Sequence, residues 1–155
     1  MKMVRATASL ADRKELDHLE AVCFQHPGER FNPRQIHSLL KNPRAVVLLA
    51  REQGRIAGWA VGLLRYHGSG CCSGRLYALS VHPDFRGRGL GAHLAKRVLH
   101  QLRRRGAQTF SLEVRTPNPA AQHVYERLGF LPASLLPDYY GPGLHGLRMR
   151  KATRA

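Results

Sequence analysis

Residues 82–99, HPDFRGRGLGAHLAKRVL, put glycine at every second position (Gly87, Gly89 and Gly91) between arginines and directly ahead of an apolar-periodic segment. Glycine inside a helix costs about 1 kcal/mol relative to alanine, so these three do not serve helix propensity. They mark a turn that needs backbone freedom. A helix is expected after it from about Leu90 to Arg105, because Leu90, Leu94, Ala95, Val98, Leu99 and Leu102 recur on one face. The first N–H groups of a helix have no carbonyl partner within it, and the helix dipole adds positive potential there. A glycine turn carrying Arg86 and Arg88 at that place suits a phosphate that comes close to the main chain. A solvated charged turn is the plainer alternative.

The chain around the turn alternates strand-like and helix-like segments. A first strand is expected over MVRATA (3–8), then a helix capped by Ser9 or Asp12 and running to about Gln25, with Leu16, Leu19, Ala21 and Cys23 as its apolar positions. HPGERFNP (26–33) is expected as a loop. Asn32 and Pro33 open a second helix that ends near Lys41. AVVLLARE and IAGWAVGLLRYH flank the turn QGR, which predicts a hairpin over 45–67. Gly68, Gly70 and Gly74 mark a loop that takes in Cys71 and Cys72, and RLYALSVHP (75–83) is the next strand, stopped by Pro83. Gly106 ends the long helix, TFSLEVR (109–115) is a strand, and a helix opens at Asn118 and Pro119 and stops at Gly129. Strands are expected near 130–136 and 144–150. The order β-α-α-β-β-β-α-β-α-β-β implies a single α/β domain over 1–155, with a mixed sheet of about seven strands and about four helices.

Bulk composition narrows the function. No apolar run approaches the roughly 18 residues of a membrane span, and the N-terminus lacks a signal-type apolar stretch. A soluble, cytoplasmic protein with no membrane partner is expected. Three cysteines without paired spacing indicate neither a disulfide framework nor a zinc site, the nine histidines show no metal-ligand spacing, and no metal is expected. A net charge of +15 draws polyanions such as nucleic acid, the ribosome, acidic peptides or a polyphosphate cofactor. A genome that favours arginine is an equally weighted explanation of that charge.

The phosphate ligand can be narrowed further. No G-x-x-x-x-G-K-[ST] loop is present. Gly87, Gly89 and Ala92 do fit G-x-G-x-x-A, but HPDFR separates them from the preceding strand, and too little chain follows for a second nucleotide-binding half.

VHPDFRGRGLG resembles the acetyl-CoA motif R/Q-x-x-G-x-G/A of the GNAT acyltransferase superfamily, with Arg86, Gly89 and Gly91 at the matching positions. LEVRTPNPAAQHVYERLGF resembles a later motif of that family, and most closely its ribosomal-protein-alanine and protein N-terminal acetyltransferase branch. The likeness extends over residues 1 to about 150. It implies a GNAT-like fold and acetyl-CoA as co-substrate. Its pyrophosphate would be wrapped by Arg86, Gly87, Arg88, Gly89, Leu90, Gly91 and Ala92, and its pantetheine arm would run along Leu79, Ser80 and Val81.

The resemblance also implies roles for single residues. Tyr125 matches a tyrosine beside the CoA sulfur, a general acid, with an aromatic packing anchor as the alternative. Glu113 matches a proton acceptor, with a structural carboxylate paired to an arginine as the alternative. Asn118 matches a CoA contact and is equally an ordinary N-cap. Tyr139 and Tyr140 resemble a tyrosine-pair loop over the acceptor peptide. The expected reaction is direct acetyl transfer from acetyl-CoA to a primary amine, foremost a protein or peptide N-terminal α-amine. A small-molecule amine, or a basic ribosome- or RNA-binding module on this fold, stays open. So do ribosome association and a monomer or homodimer; no sequence-specific nucleic acid is expected.

Overall fold

The computed structural model describes residues 2–6, 9–24, 29–68 and 70–152. The elements are β1 (Lys2–Arg5), α1 (Leu10–Cys23), α2 (Pro33–Lys41), β2 (Ala45–Glu52), β3 (Arg55–Tyr66), β4 (Cys72–Val81), α3 (Leu90–Arg104), β5 (Thr109–Arg115), α4 (Pro119–Arg127), β6 (Leu131–Gly141) and β7 (Leu144–Ala152), with a 3-10 turn at Pro83–Phe85 between β4 and α3. Their order is the expected one. The helix starts follow local chemistry: Ser9 accepts from the Asp12 N–H, Asn32 and Gln35 form a reciprocal capping box with Pro33 in the first turn, and Asn118 accepts from the Ala121 N–H.

The strands form one sheet in the order β1-β2-β3-β4-β5-β7-β6. Every neighbouring pair is antiparallel except β4–β5, which is parallel. Helices α1 and α2 cover one face, where Leu16, Leu19, Ile36 and Leu39 pack on Trp59 and Val61. The apolar stripe of α3 covers the other with Leu94, Val98 and Leu102, beside Phe110, Phe130 and Met149.

Two features shape the middle of this sheet. First, β4 carries one residue more than β3: Val61 faces Ala78 and Gly62 faces Leu76, which leaves Tyr77 unopposed. This bulge switches the alternation, so that Leu76 packs on the α3 side while Ala78 packs on the α1–α2 side. Second, β4 and β5 pair only from Ser73↔Thr109 to Leu76↔Leu112. Beyond that point β4 stays with β3 as far as Gly58↔Val81, and β5 stays with β7 as far as Arg115↔Gly146. The sheet opens between them.

Several local expectations are corrected. β1 covers residues 2–5 rather than 3–8, and Thr7 and Ala8 lie outside the described residues. α1 ends at Cys23, and the expected end at Gln25 and the loop over 26–28 also lie outside them. Ala21 is exposed, so it does not belong to the apolar face of α1. Cys72 and Gly74 are in β4, not in a loop; a Cβ at Gly74 would stand 3.0 Å from Phe110 and 3.1 Å from Leu102, so this glycine serves close packing. β6 runs on to Gly141, which puts Tyr139 and Tyr140 at a strand end rather than in a loop.

Gly58 tests the β3–β4 contact. A Cβ there would lie 2.7 Å from the Ser80 carbonyl oxygen, an obstacle of main chain and not of a movable side chain. Gly58→Ala should lower the unfolding free energy by about 1–3 kcal/mol, read from urea midpoints. An unchanged midpoint would mean that β3 and β4 separate freely.

Candidate active site

The opening between β4 and β5 is the floor of a cleft of about 1420 Å³. One end is the glycine turn. Gly87 and Gly89 have φ of 79° and 74°, left-handed values that glycine adopts without strain. Gly89 is the N-cap of α3 and offers no capping side chain. Among the described residues, no N–H group from Gly87 to Ala92 donates to a main-chain carbonyl outside α3, so the turn presents donors to the cleft. Arg86 lies there too, and its Nε donates to the Val81 carbonyl at 2.9 Å. Such a row of free donors on a positive helix end fits a pyrophosphate.

Along β4, Leu79, Ser80 and Val81 line the cleft. The Ser80 side chain turns inward and donates to Glu20 Oε2 at 2.8 Å. Glu20 is fully buried and also receives Trp59 Nε1 at 3.3 Å and the Phe31 N–H at 3.2 Å. Burial pushes its carboxyl above the usual value of 4.5, against the pull of those three hydrogen bonds. Cys23 approaches the Val81 carbonyl at 3.4 Å, and burial pushes its thiol up, away from thiolate chemistry.

Across the opening stand Glu113 of β5 and Tyr125 of α4. Arg75 Nε donates to Glu113 Oε1 at 2.6 Å, and Arg148 Nε donates to Oε2 at 3.1 Å. The same Arg75 donates to the Tyr139 hydroxyl at 2.9 Å and lies 4.6 Å over the Tyr77 ring. Tyr139 and Tyr140 meet edge to face at 4.9 Å. Burial, then the neighbouring Tyr139 and Glu113, push the Tyr140 phenol up. Tyr125 packs its ring 6.3 Å from Phe130, and burial pushes its phenol up to about 12. Among the described residues nothing hydrogen-bonds its hydroxyl.

Residues 13–130 match the family model described as Acetyltransferase (GNAT) family. The chain belongs to that family. It is an acetyl-CoA-dependent N-acetyltransferase. A Bacillus subtilis protein provisionally named a ribosomal protein bS18-alanine N-acetyltransferase is 28% identical over 134 residues, 82% of each chain. The ribosomal protein bS18-alanine N-acetyltransferase of Salmonella typhimurium is 45% identical over 65 residues, 42% of this chain and 44% of that one. Among solved structures, a chain of the NatC complex bound to Gag peptide and CoA superposes with a TM-score of 0.83, covering 99% of this chain and all of that one at 17% identity. At that identity the likeness shows the fold.

The structure gathers Leu79, Ser80, Val81, Arg86, Gly87, Gly89, Leu90, Gly91, Ala92, Glu113, Asn118, Tyr125, Tyr139 and Tyr140 around one cleft. Arg88 departs from the expected set. Its guanidinium reaches Glu52 at 3.2 Å and lies 5.5 Å over the Phe85 ring, so a carboxylate on β2 carries the side chain away. Sequence reasoning missed Glu20, Arg75 and Arg148. Glu20 had a signal, an acid one turn after Leu16 on the buried face of α1; the arginines had none, because their partner lies more than thirty residues away in the chain.

Glu20 generates a pH test. Its folded pKa lies above the unfolded one, so the native state keeps a proton that the unfolded chain has already lost. The stability tied to that proton is fully present below the unfolded value and is lost as pH rises through the folded value. Glu20→Gln cannot lose it. From acid pH towards neutrality, wild type should therefore lose urea resistance relative to Glu20→Gln. A pH-independent difference would show that Glu20 keeps the same protonation in both states.

Proposed function

We propose that the cleft acetylates the α-amine of a protein or peptide N-terminus by direct transfer from acetyl-CoA. One observation carries this reading: each carboxylate among the lining residues is already held by protein donors. Glu20 is held by Ser80, Phe31 and Trp59, Glu29 by Arg115, and Glu113 by Arg75 and Arg148. A proton placed on Glu113 would displace one of its two guanidinium bonds. Of its two possible roles, the geometry therefore favours the carboxylate that orients Arg75 and, through it, Tyr139. A site without a free base suits an amine that arrives partly neutral. An α-amine titrates near pH ~8, whereas a lysine side chain titrates near ~10.4. The Bacillus and Salmonella relatives are named for an alanine of ribosomal protein bS18, which supports a protein acceptor, a reaction in the cytoplasm and the ribosome as a partner.

In this reading the chain acts as one catalytic domain over 1–155, as monomer or homodimer. The N–H groups from Gly87 to Ala92 hold the pyrophosphate with Arg86, the main chain at Leu79, Ser80 and Val81 lines the pantetheine arm, and Asn118 adds a contact beside its capping bond. Tyr139 and Tyr140 lie over the acceptor. As the amine nitrogen bonds to the acetyl carbon and the carbon–sulfur bond breaks, Tyr125 gives its proton to the departing thiolate and the amine proton leaves to water. A phenol at about 12 holds that proton throughout the neutral range.

Two measurements test the reading. Lysine-free peptides with a free α-amine should be acetylated, whereas blocked peptides bearing lysine should not, and kcat/KM should climb with pH towards ~8 as the amine loses its proton. Faster acetylation of a blocked lysine peptide or of a small polyamine would overturn the N-terminal assignment. Tyr125→Phe should lower kcat about ten- to a thousand-fold with little change in the acetyl-CoA KM; full activity would leave Tyr125 as a packing residue.

A further inference from the structure

A second concave surface shares no lining residue with the cleft. It is a groove of about 950 Å³ between α3, the end of α4 and the end of β7. Lys96, His100 and Arg103 recur at i, i+4 and i+7 along α3 and form one wall. Arg127 and Lys151 stand on the other, and the floor is apolar and includes the buried Phe110. No acid lines it. The chain has no Asp or Glu between Asp84 and Glu113, and no ion pair among the described residues includes Lys96, Arg103, Arg127 or Lys151. Arg103 complements the carbonyl end of α3, and Lys151 donates to the Leu128 carbonyl at 2.6 Å. Lys96, two turns before the helix end, has no such structural duty.

We infer that this groove binds the phosphodiester backbone of a double-helical nucleic acid. Cations on both walls of a concave surface follow a ridge of phosphates, and a flat bilayer would meet only the rims. Of the two rings in the groove, Phe110 is buried and His100 stands alone among the cations of α3, so there is no row of platforms for successive stacked bases, which favours a duplex over a single strand. The charged side chains on both walls are all cations, the partners of phosphate oxygens, so the contact assigned to them is to the backbone, which positions a duplex without reading its sequence. The inference does not depend on which amine the cleft acetylates.

The test uses the full chain, labelled duplex RNA and duplex DNA as probes, and anisotropy over a series of KCl concentrations. Lys96→Glu/Arg103→Glu is compared with Lys14→Glu/Arg34→Glu, a pair of exposed residues on α1 and α2 that gives the same change in net charge. Stabilisation by acetyl-CoA in a thermal scan checks that each variant is folded. The groove pair should weaken duplex binding by at least about ten-fold at matched salt and flatten the log K against log [KCl] slope by about two, while the control pair keeps both. The RNA and DNA arms tell which helix is preferred. Equal weakening by both pairs would reduce the effect to the diffuse field of the chain and overturn the site. So would wild-type binding by the groove pair, or groove-dependent binding to phosphatidylserine vesicles with none to either duplex.

Discussion

The separation of β4 from β5 is the constraint on which the rest of the site depends. Two parallel strands that paired along their full length would close the sheet and leave no main chain for a ligand. Here the bulge at Tyr77 turns β4 with β3, the antiparallel pairing of β5 with β7 holds β5 on its own course, and pairing stops at Leu76↔Leu112. The N-terminal turn of α3 then sits against the free end of β4, where Gly91 approaches Val81 and Leu79. Strand, turn and helix dipole thus meet at one place. The donors presented there are main-chain groups, and their placement needs only the backbone path and not particular side chains.

The second organising feature is that carboxylates are few and each near the cleft has a structural task. Glu20 joins α1, the segment before α2, β3 and β4 through Phe31, Trp59 and Ser80. Glu113 joins β4, β5 and β7 through Arg75 and Arg148, and Arg75 extends that frame to Tyr139 on β6. The strand on one side of the cleft and Tyr139 at its rim therefore share a single hydrogen-bonded frame. A very basic chain gains from this arrangement, because an arginine paired inside the cleft no longer repels its neighbours. The cationic groove between α3 and α4 lacks such partners.

Much of this was legible in the residues themselves. The order of elements, the helix starts at Ser9, Asn32 and Asn118, the apolar stripe of α3 and the glycine turn all follow from interactions within a few positions: a capping oxygen and an N–H three residues on, or a helical repeat. The two motifs carried the family as well, since their residues lie next to one another in the chain.

What tertiary structure alone decided is how distant residues meet. The bulge at Tyr77 arises from the packing of two strands and has no local signature. Arg88, adjacent to the glycines, was drawn off by Glu52 of β2, a residue thirty-six positions earlier. Tyr139 and Tyr140 lie in the irregular stretch of β6 between its pairings Leu136↔Gly146 and Gly141↔Leu144 with β7, a placement set by that distant strand. Glu113 could be marked in the sequence as an acid on an apolar strand, but the two guanidiniums that occupy its oxygens come from β4 and β7, thirty-eight and thirty-five positions away. A side chain's chemistry is local, whereas its partners are chosen by strand order and register, which depend on the energy of the whole sheet.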